Sequence, residues 1–434
     1  NSSLGNGGMF AADVERAYET LVSRADRGEL RHHHSVQALP EGELINRAYQ
    51  VASFGQKEAV DRILAHCFKH YENSGAAHLF LAQQIAEVDG LADATEYLES
   101  KLSVIKSGSD VVAALVLMCN WGIKLRKDAV VDFAKAKLRE LTITDSIDRM
   151  QVDCLLADGN SAYKEGLDKS ALSRADIESA VSKKRVLFVV PCDDPAQHEV
   201  VAAQLRRLFS SEGLYDVDVL RSSVSRRNVT YSKVMADGIA DILIFMQAHL
   251  TIADPSFVRK VDKLLGSTGV VGIAGGSIWD RFNWRDSGFS EKFGGFLTSK
   301  DQHGFHDVQL VGDERILCRH DLVVLDGNIL AFRPETMASV DFDDEMIGGE
   351  TLLEEDWVYR AAKQGVRLSA HRNLGVVVGA PAPIRMLDAA PARMHAIEKL
   401  RFDPFDMRRP DRMAVSVPVD CVQQGLALVE WLFG

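Results

Sequence analysis

Residues 185–190 (RVLFVV) and 241–246 (DILIFM) are short, almost wholly apolar runs, each followed by a stretch with helical spacing. A strand that is apolar on both faces must be covered on both faces. Alternation of such strands with helices therefore predicts a parallel sheet wrapped by helices. The pattern continues as helix 197–209, strand 216–220, helix 231–239, helix 257–265 and strand 270–274. After a gap come a strand over 322–332 broken at Asp326-Gly327-Asn328, helix 354–364 and strand 366–370. The expectation is a Rossmann-type α/β domain with a mostly parallel sheet. In such sheets ligands bind beyond the carboxyl ends of the strands, here residues 191–194, 220–223 and 247–249.

Ahead of residue 183 the period changes to three and four. Residues 11–27, 41–53, 57–70, 76–88, 92–102, 110–125 and 129–141 all read as amphipathic helices, separated by Gly, Ser and Asp. Residues 9–182 are expected to form an all-α domain, either a helical repeat of the tetratricopeptide kind or a plain bundle. Residues 183–380 would be the α/β domain, and 381–434 a tail packing back on it. Within the α/β domain, 275–311 is rich in Gly, Ser and aromatics with little periodicity, and reads as a functional flap. The apolar stretch 426–433 reads as a docking helix or subunit contact.

Composition narrows the classes. The chain has 434 residues, 46% hydrophobic and 26% charged, with a net charge of −12 spread along its length. A nucleic-acid surface needs clustered Lys and Arg, so that partner is not expected. No apolar run reaches the length of a membrane span, and the start shows no signal-peptide core. The six cysteines (67, 119, 154, 192, 318 and 421) are widely spaced, without metal-finger patterns. Reduced, buried thiols in a soluble cytoplasmic protein are expected. The triplet His32-His33-His34 reads as a solvated turn.

The α/β half also carries motifs in a telling order: Tyr231-Ser232, then Ile244 to His249, then Gly272 to Gly276 with Trp279 and Trp284. Leu325-Asp326-Gly327 follows, and last the acidic helix from Glu354 to Ala361. This order resembles the GT-A glycosyltransferases of family 2, and among them the domain type named after a streptomycin-biosynthesis protein. The resemblance covers roughly residues 184–379. It implies a GT-A-like fold and a nucleotide-sugar donor. It implies inverting transfer of a hexosyl-type sugar to an acceptor hydroxyl on a glycan, lipid-linked intermediate or protein.

The resemblance also assigns roles. Counting back from Arg360-Ala361 aligns Glu354 and Asp356 with the family's two acidic positions. Either would be the general base, with Glu355 completing the cluster. Acids at a helix start are also favoured by the macrodipole alone. Where the family has a metal-binding carboxylate, this chain has His249, with Gln247 before it. His371 stands where related enzymes place a second metal-binding His, so His249 and His371 would hold Mn2+ or Mg2+. The alternative is that His249 bonds a phosphate or the backbone while Arg226, Arg227, Arg281 or Arg372 neutralises the diphosphate. Asp193 and Asp194 would contact base or ribose, or simply make a turn. Asp326 and Gly327 would line the donor or acceptor pocket, or form a bulge. Trp279 and Trp284 would stack on a sugar, or pack inside the loop.

Three functions are thus in view. The first is a glycosyltransferase whose helical domain recruits the acceptor or a protein partner. The second is an inactive GT-A-like binding module. The third is a helical-repeat scaffold.

Overall fold

The structure is a computed structural model, described here for residues 40–53, 57–71, 73–157, 163, 183–209, 214–279, 289–342, 353–379 and 415–434. The chain divides into two compact units between Trp121 and Gly122.

The described part of unit one is helical: α1 (Glu41–Ser53), α2 (Lys57–His70), α3 (Gly75–Val88), α4 (Leu91–Lys101) and α5 (Gly108–Lys124), whose last residues lie past the division. Three- and four-residue spacing puts Ile45 and Ala48 of α1, and Val60, Leu64 and Cys67 of α2, on one buried stripe each. They meet Ala77 and Phe80 of α3 in a shared core. Ser74 caps α3 by accepting from Ala77 N–H at 3.0 Å.

Unit two begins with α6 (Asp128–Glu140) and α7 (Ser146–Leu156). The division comes earlier than the 182/183 boundary read from the sequence, and α7 is bonded to the strand segment at Ser416. The Gln151 side chain donates to Ser416 C=O at 2.6 Å and accepts from Ser416 N–H at 2.9 Å. Lys124 pairs with Asp301 at 3.0 Å and Asp307 at 2.9 Å. At the end of α5 the Arg126 N–H bonds Ile123 C=O at 3.0 Å and the Lys127 N–H bonds Gly122 C=O at 2.9 Å. That is a Schellman cap, and it holds Arg126 at φ 54°.

The first sheet contains β1 (Lys184–Pro191), β2 (Tyr215–Ser222), β3 (Ile242–Met246), β5 (Val270–Gly272), β9 (Cys318–Leu322), β11 (Ile329–Phe332) and β12 (Leu368–His371), in the order β2-β1-β3-β11-β5-β12-β9. β1 runs parallel to β2 and β3, and β12 parallel to β5. β11 is antiparallel to both β3 and β5, and β9 antiparallel to β12. The sheet is therefore mixed: β2, β1, β3, β5 and β12 run one way, and β11 and β9 the other. The cause is the turn at 326–328, which starts β11 at the end where β3 finishes, so β11 must run back along it. Gln247 N–H bonds Asn328 C=O there at 2.9 Å.

The connecting helices are α8 (Pro195–Phe209), α9 (Arg227–Asp237), α10 (Phe257–Leu264), the single turn α11 (Pro334–Met337) and α12 (Leu353–Lys363). Tyr231 of α9 stacks on Phe245 of β3 with ring centroids 3.7 Å apart, and Trp357 of α12 stacks on Phe245 at 5.7 Å. These rings fix both helices on the strand that leads into the site.

The second sheet runs β10 (Val324–Leu325), β6 (Ala274–Gly276), β7 (Lys292–Thr298), β13 (Val376–Val378), β4 (Leu250–Ile252), and β8 (His306–Val311) pairs with both β7 and β14 (Val415–Val419). Much of the segment read as a flap is thus strand; residues 280–288, with Arg281 and Trp284, lie outside the described residues. Gly275 and Gly294 mark close strand contact rather than loop. A Cβ on Gly294 would lie 2.4 Å from the Ala274 Cβ.

Arg372 locks this sheet. Its guanidinium is buried and donates to the carbonyls of Gly294, Val311, Gly312, Glu314 and Ile316. It lies between the rings of Phe293 and Phe433, 4.4 Å from each. Burial draws its pKa down to about 10. Arg372 is structural, and no longer a candidate for holding a diphosphate. Phe433 belongs to α13 (Val422–Phe433), which packs through Gly425 on Leu297 and Val308. This helix docks within its own chain. Residues 380–414, in the segment read as a tail, and the tripled histidines lie outside the described residues.

Candidate functional site

Three of the motifs meet at the carboxyl end of β3. Gln247, just past the strand, donates from Nε2 to Glu354 Oε1 at 3.3 Å and to Gly327 C=O at 3.5 Å. Gly327 N–H donates to Glu355 Oε1 at 3.3 Å. Only glycine fits at 327, since a Cβ would lie 2.8 Å from Glu355 Oε2 and 2.9 Å from Glu354 Cβ. The neighbouring Asp326 is buried; its Oδ1 accepts from Asn328 N–H at 2.9 Å, tightening the turn. The Leu-Asp-Gly turn and the acidic helix are therefore one assembly.

Glu354 is the hub. It is 2% exposed, and Arg227 Nε lies 2.9 Å from its Oε1. Tyr231 donates to the same carboxylate at 3.3 Å. Burial raises the Glu354 pKa, and the Arg227 charge opposes that rise. Burial, then the Glu354 charge, pushes the Tyr231 phenol well above its ordinary value. Asp356, 1% exposed, takes the Nε of Arg360 one turn along α12 at 2.8 Å.

Both acids aligned with the family's catalytic positions are thus buried and ion-paired, an arrangement suited to holding α12 in place. Neither carboxylate is open to solvent in this arrangement. Glu355 is half-buried and faces the turn. The residues missed in the sequence were Arg227 and Tyr231 as partners of Glu354. They are four apart on one helix, and a polar pair repeating on the buried stripe was the available signal.

His249 is half-buried beside Asn328 and Asp326. Burial lowers its pKa, while the Asn328 hydrogen bond and the Asp326 charge act the other way. His371 lies elsewhere in charge terms. Its pKa falls to about 4 through burial, then through Lys260 and His320, and its Nδ1 accepts from Asn373 N–H at 3.0 Å. Among the described residues no group of three or more His, Cys, Asp or Glu could hold a metal ion. Mn2+ and Mg2+ want several oxygen ligands, and a His with cationic neighbours does not supply them. The His249/His371 pair does not fit the metal expected of it.

Asp193 and Asp194 sit past β1 as caps. Asp193 Oδ1 accepts from Ser223 Oγ at 2.9 Å and Val224 N–H at 3.1 Å. Asp194 Oδ1 accepts from Ala196 N–H at 2.9 Å at the start of α8. Both are exposed at the rim of the strand ends. Trp279 is 6% exposed and meets Tyr359 of α12 edge to face at 4.9 Å. It packs against α12, the second of the two roles read for it.

The described residues include no helix long and apolar enough to cross a membrane. None of the six cysteines is in a disulfide, and four of them are buried. No protein-family profile matches the chain, and no curated protein matches it. Solved structures do. One is the protein A197 from STIV, 14% identical with a TM-score of 0.25, over 46% of this chain and 97% of that one. Another is a mannosyltransferase from Pyrobaculum calidifontis in complex with GDP-Man and Mn2+, 11% identical with a TM-score of 0.29, over 55% of this chain and 69% of that one.

Proposed function

We propose that unit two binds a nucleotide-sugar donor beyond the carboxyl ends of β1 and β3, and transfers the sugar to an acceptor hydroxyl with inversion. The observation that carries this reading is the convergence of Gln247, Gly327, Glu354 and Glu355, whose linked pairs are 80, 107 and 28 residues apart in sequence. They belong to three motifs that the family resemblance placed in order. In this reading Glu355 takes the proton from the acceptor as its oxygen attacks the anomeric carbon, and the nucleoside diphosphate departs. Glu354, fixed by Arg227 and Tyr231, positions the turn of α12 that carries Glu355. Arg226, exposed and next in sequence to Arg227, is the candidate cation for the leaving diphosphate. Asp193 and Asp194, at the β1 rim, are the candidates for base or ribose. Unit one recruits the acceptor or a protein partner.

A thermal-shift screen of nucleotide sugars tests the donor directly, since a ligand that binds only the folded state raises the melting temperature. One nucleoside diphosphate and its sugar should stabilise the protein; a flat response across the panel would remove the reading. Glu355→Gln should keep donor binding and lose transfer.

The second reading is a GT-A-like binding module without turnover. The Arg227–Glu354 ion pair favours it, because the acid aligned with the family's base is already neutralised by a partner. Release of nucleoside diphosphate from a bound donor separates the two: an enzyme releases it with acceptor or water, a binding module does not.

A further inference from the structure

We propose that His66 and His70 of α2 form a site for one borderline divalent transition-metal ion: Cu2+, Ni2+ or Zn2+. The two residues are four apart on a helix, so their side chains stand one above the other on the same face. Their ring centroids are 4.4 Å apart with the planes inclined at 39°. His66 is half-buried and His70 exposed. The buried stripe of α2 is carried by Val60, Leu64 and Cys67, so the pair lies off the core face. His78, which is buried and bound to Tyr97 at 2.7 Å, is a histidine committed to packing; these two are not.

A second observation points the same way. His70 is the last residue of α2. The carbonyls of a last helical turn carry partial negative charge, so a cation held between His66 and His70 sits at the favourable end of the helix. An all-imidazole pair selects Cu2+, Ni2+ and Zn2+ over Mg2+ and Ca2+, which want oxygen. Water fills the remaining positions. Arg62, exposed and one turn earlier, carries a charge that opposes a bound cation. Arg62→Gln should tighten binding.

The test uses the full chain with His32, His33 and His34 changed to Ala, so that the triplet cannot contribute. Calorimetric titration should show one equivalent of Cu2+ bound more tightly than Ni2+ or Zn2+, and no heat with Mg2+. His66→Gln and His70→Gln should each weaken Cu2+ binding about tenfold or more. Unchanged affinity in both variants overturns the proposal. Should a substitution disturb folding, paramagnetic broadening in the intact chain decides. Loss of the His66 and His70 imidazole signals with substoichiometric Cu2+ supports the site; loss at other histidines first overturns it.

Discussion

Arg227 Nε lies 2.9 Å from Glu354 Oε1, and the two side chains are 5% and 3% exposed. They come from helices far apart in sequence, α9 and α12, and the bond ties both to the end of β3 through Gln247. Removing one partner leaves the other charged and buried. Arg227→Met is expected to cost about 3–5 kcal/mol in urea unfolding, whereas Arg227→Met with Glu354→Leu costs much less. A double-mutant cycle measures the coupling. Equal losses in the single and double variants would contradict the pairing.

Gly327 has a different vulnerability. Gly327→Ala must push Glu355 and the start of α12 outward, since a Cβ would meet Glu355 Oε2 at 2.8 Å. The expected loss is about 1–3 kcal/mol of stability. Donor-induced thermal shift should fall with it, beyond what the stability loss alone explains. A variant with wild-type melting temperature and donor shift would show that the turn and helix are not packed together.

His371 sets a pH dependence. Its folded pKa is about 4, below the ordinary 6.5, so the unfolded chain binds the proton more readily. The stability contribution is complete above pH 6.5 and is lost as pH falls toward 4, by roughly 3 kcal/mol in all. Urea unfolding between pH 4 and 6.5 should therefore give a shallower slope for His371→Gln than for the wild type.

Arg126 holds φ 54° in the Schellman cap that ends α5. A non-glycine residue there is strained, and Arg126→Gly should stabilise by about 0.5–1 kcal/mol. The opposing losses are small: a cation–π contact with Phe305 at 5.3 Å and an exposed pair with Asp420 at 3.7 Å. Thermal unfolding of the variant checks the sign.

The strands β1 and β3 could be read from the sequence because burial on both faces leaves no other use for RVLFVV or ILIFM. The direction of β11 could not. Ile329 to Phe332 would be equally apolar running either way, and the choice is made by the Asp326–Asn328 turn. Glycine content misled at 275–311, because a loop and a tightly packed strand pair both demand it; Gly294 against Ala274 is the second case. Motif order singled out Gln247, Gly327 and the acids of α12, which lie together in the structure. It could not show that Arg227, 127 residues before Glu354, occupies that carboxylate. Local pattern gives the face a residue occupies and is silent on the partner waiting there.

Arg372 draws carbonyls from β7 and the 311–316 connection under one guanidinium, with Phe433 as its outer cover. During synthesis that cover is made long after the strands it protects. A nascent chain that has emerged only to residue 379 would carry β8 without its β14 neighbour, and the Arg372 guanidinium without one of its two rings. Translation must run to the end of α13 before the second sheet can seal, so chaperone dependence should concentrate in that interval.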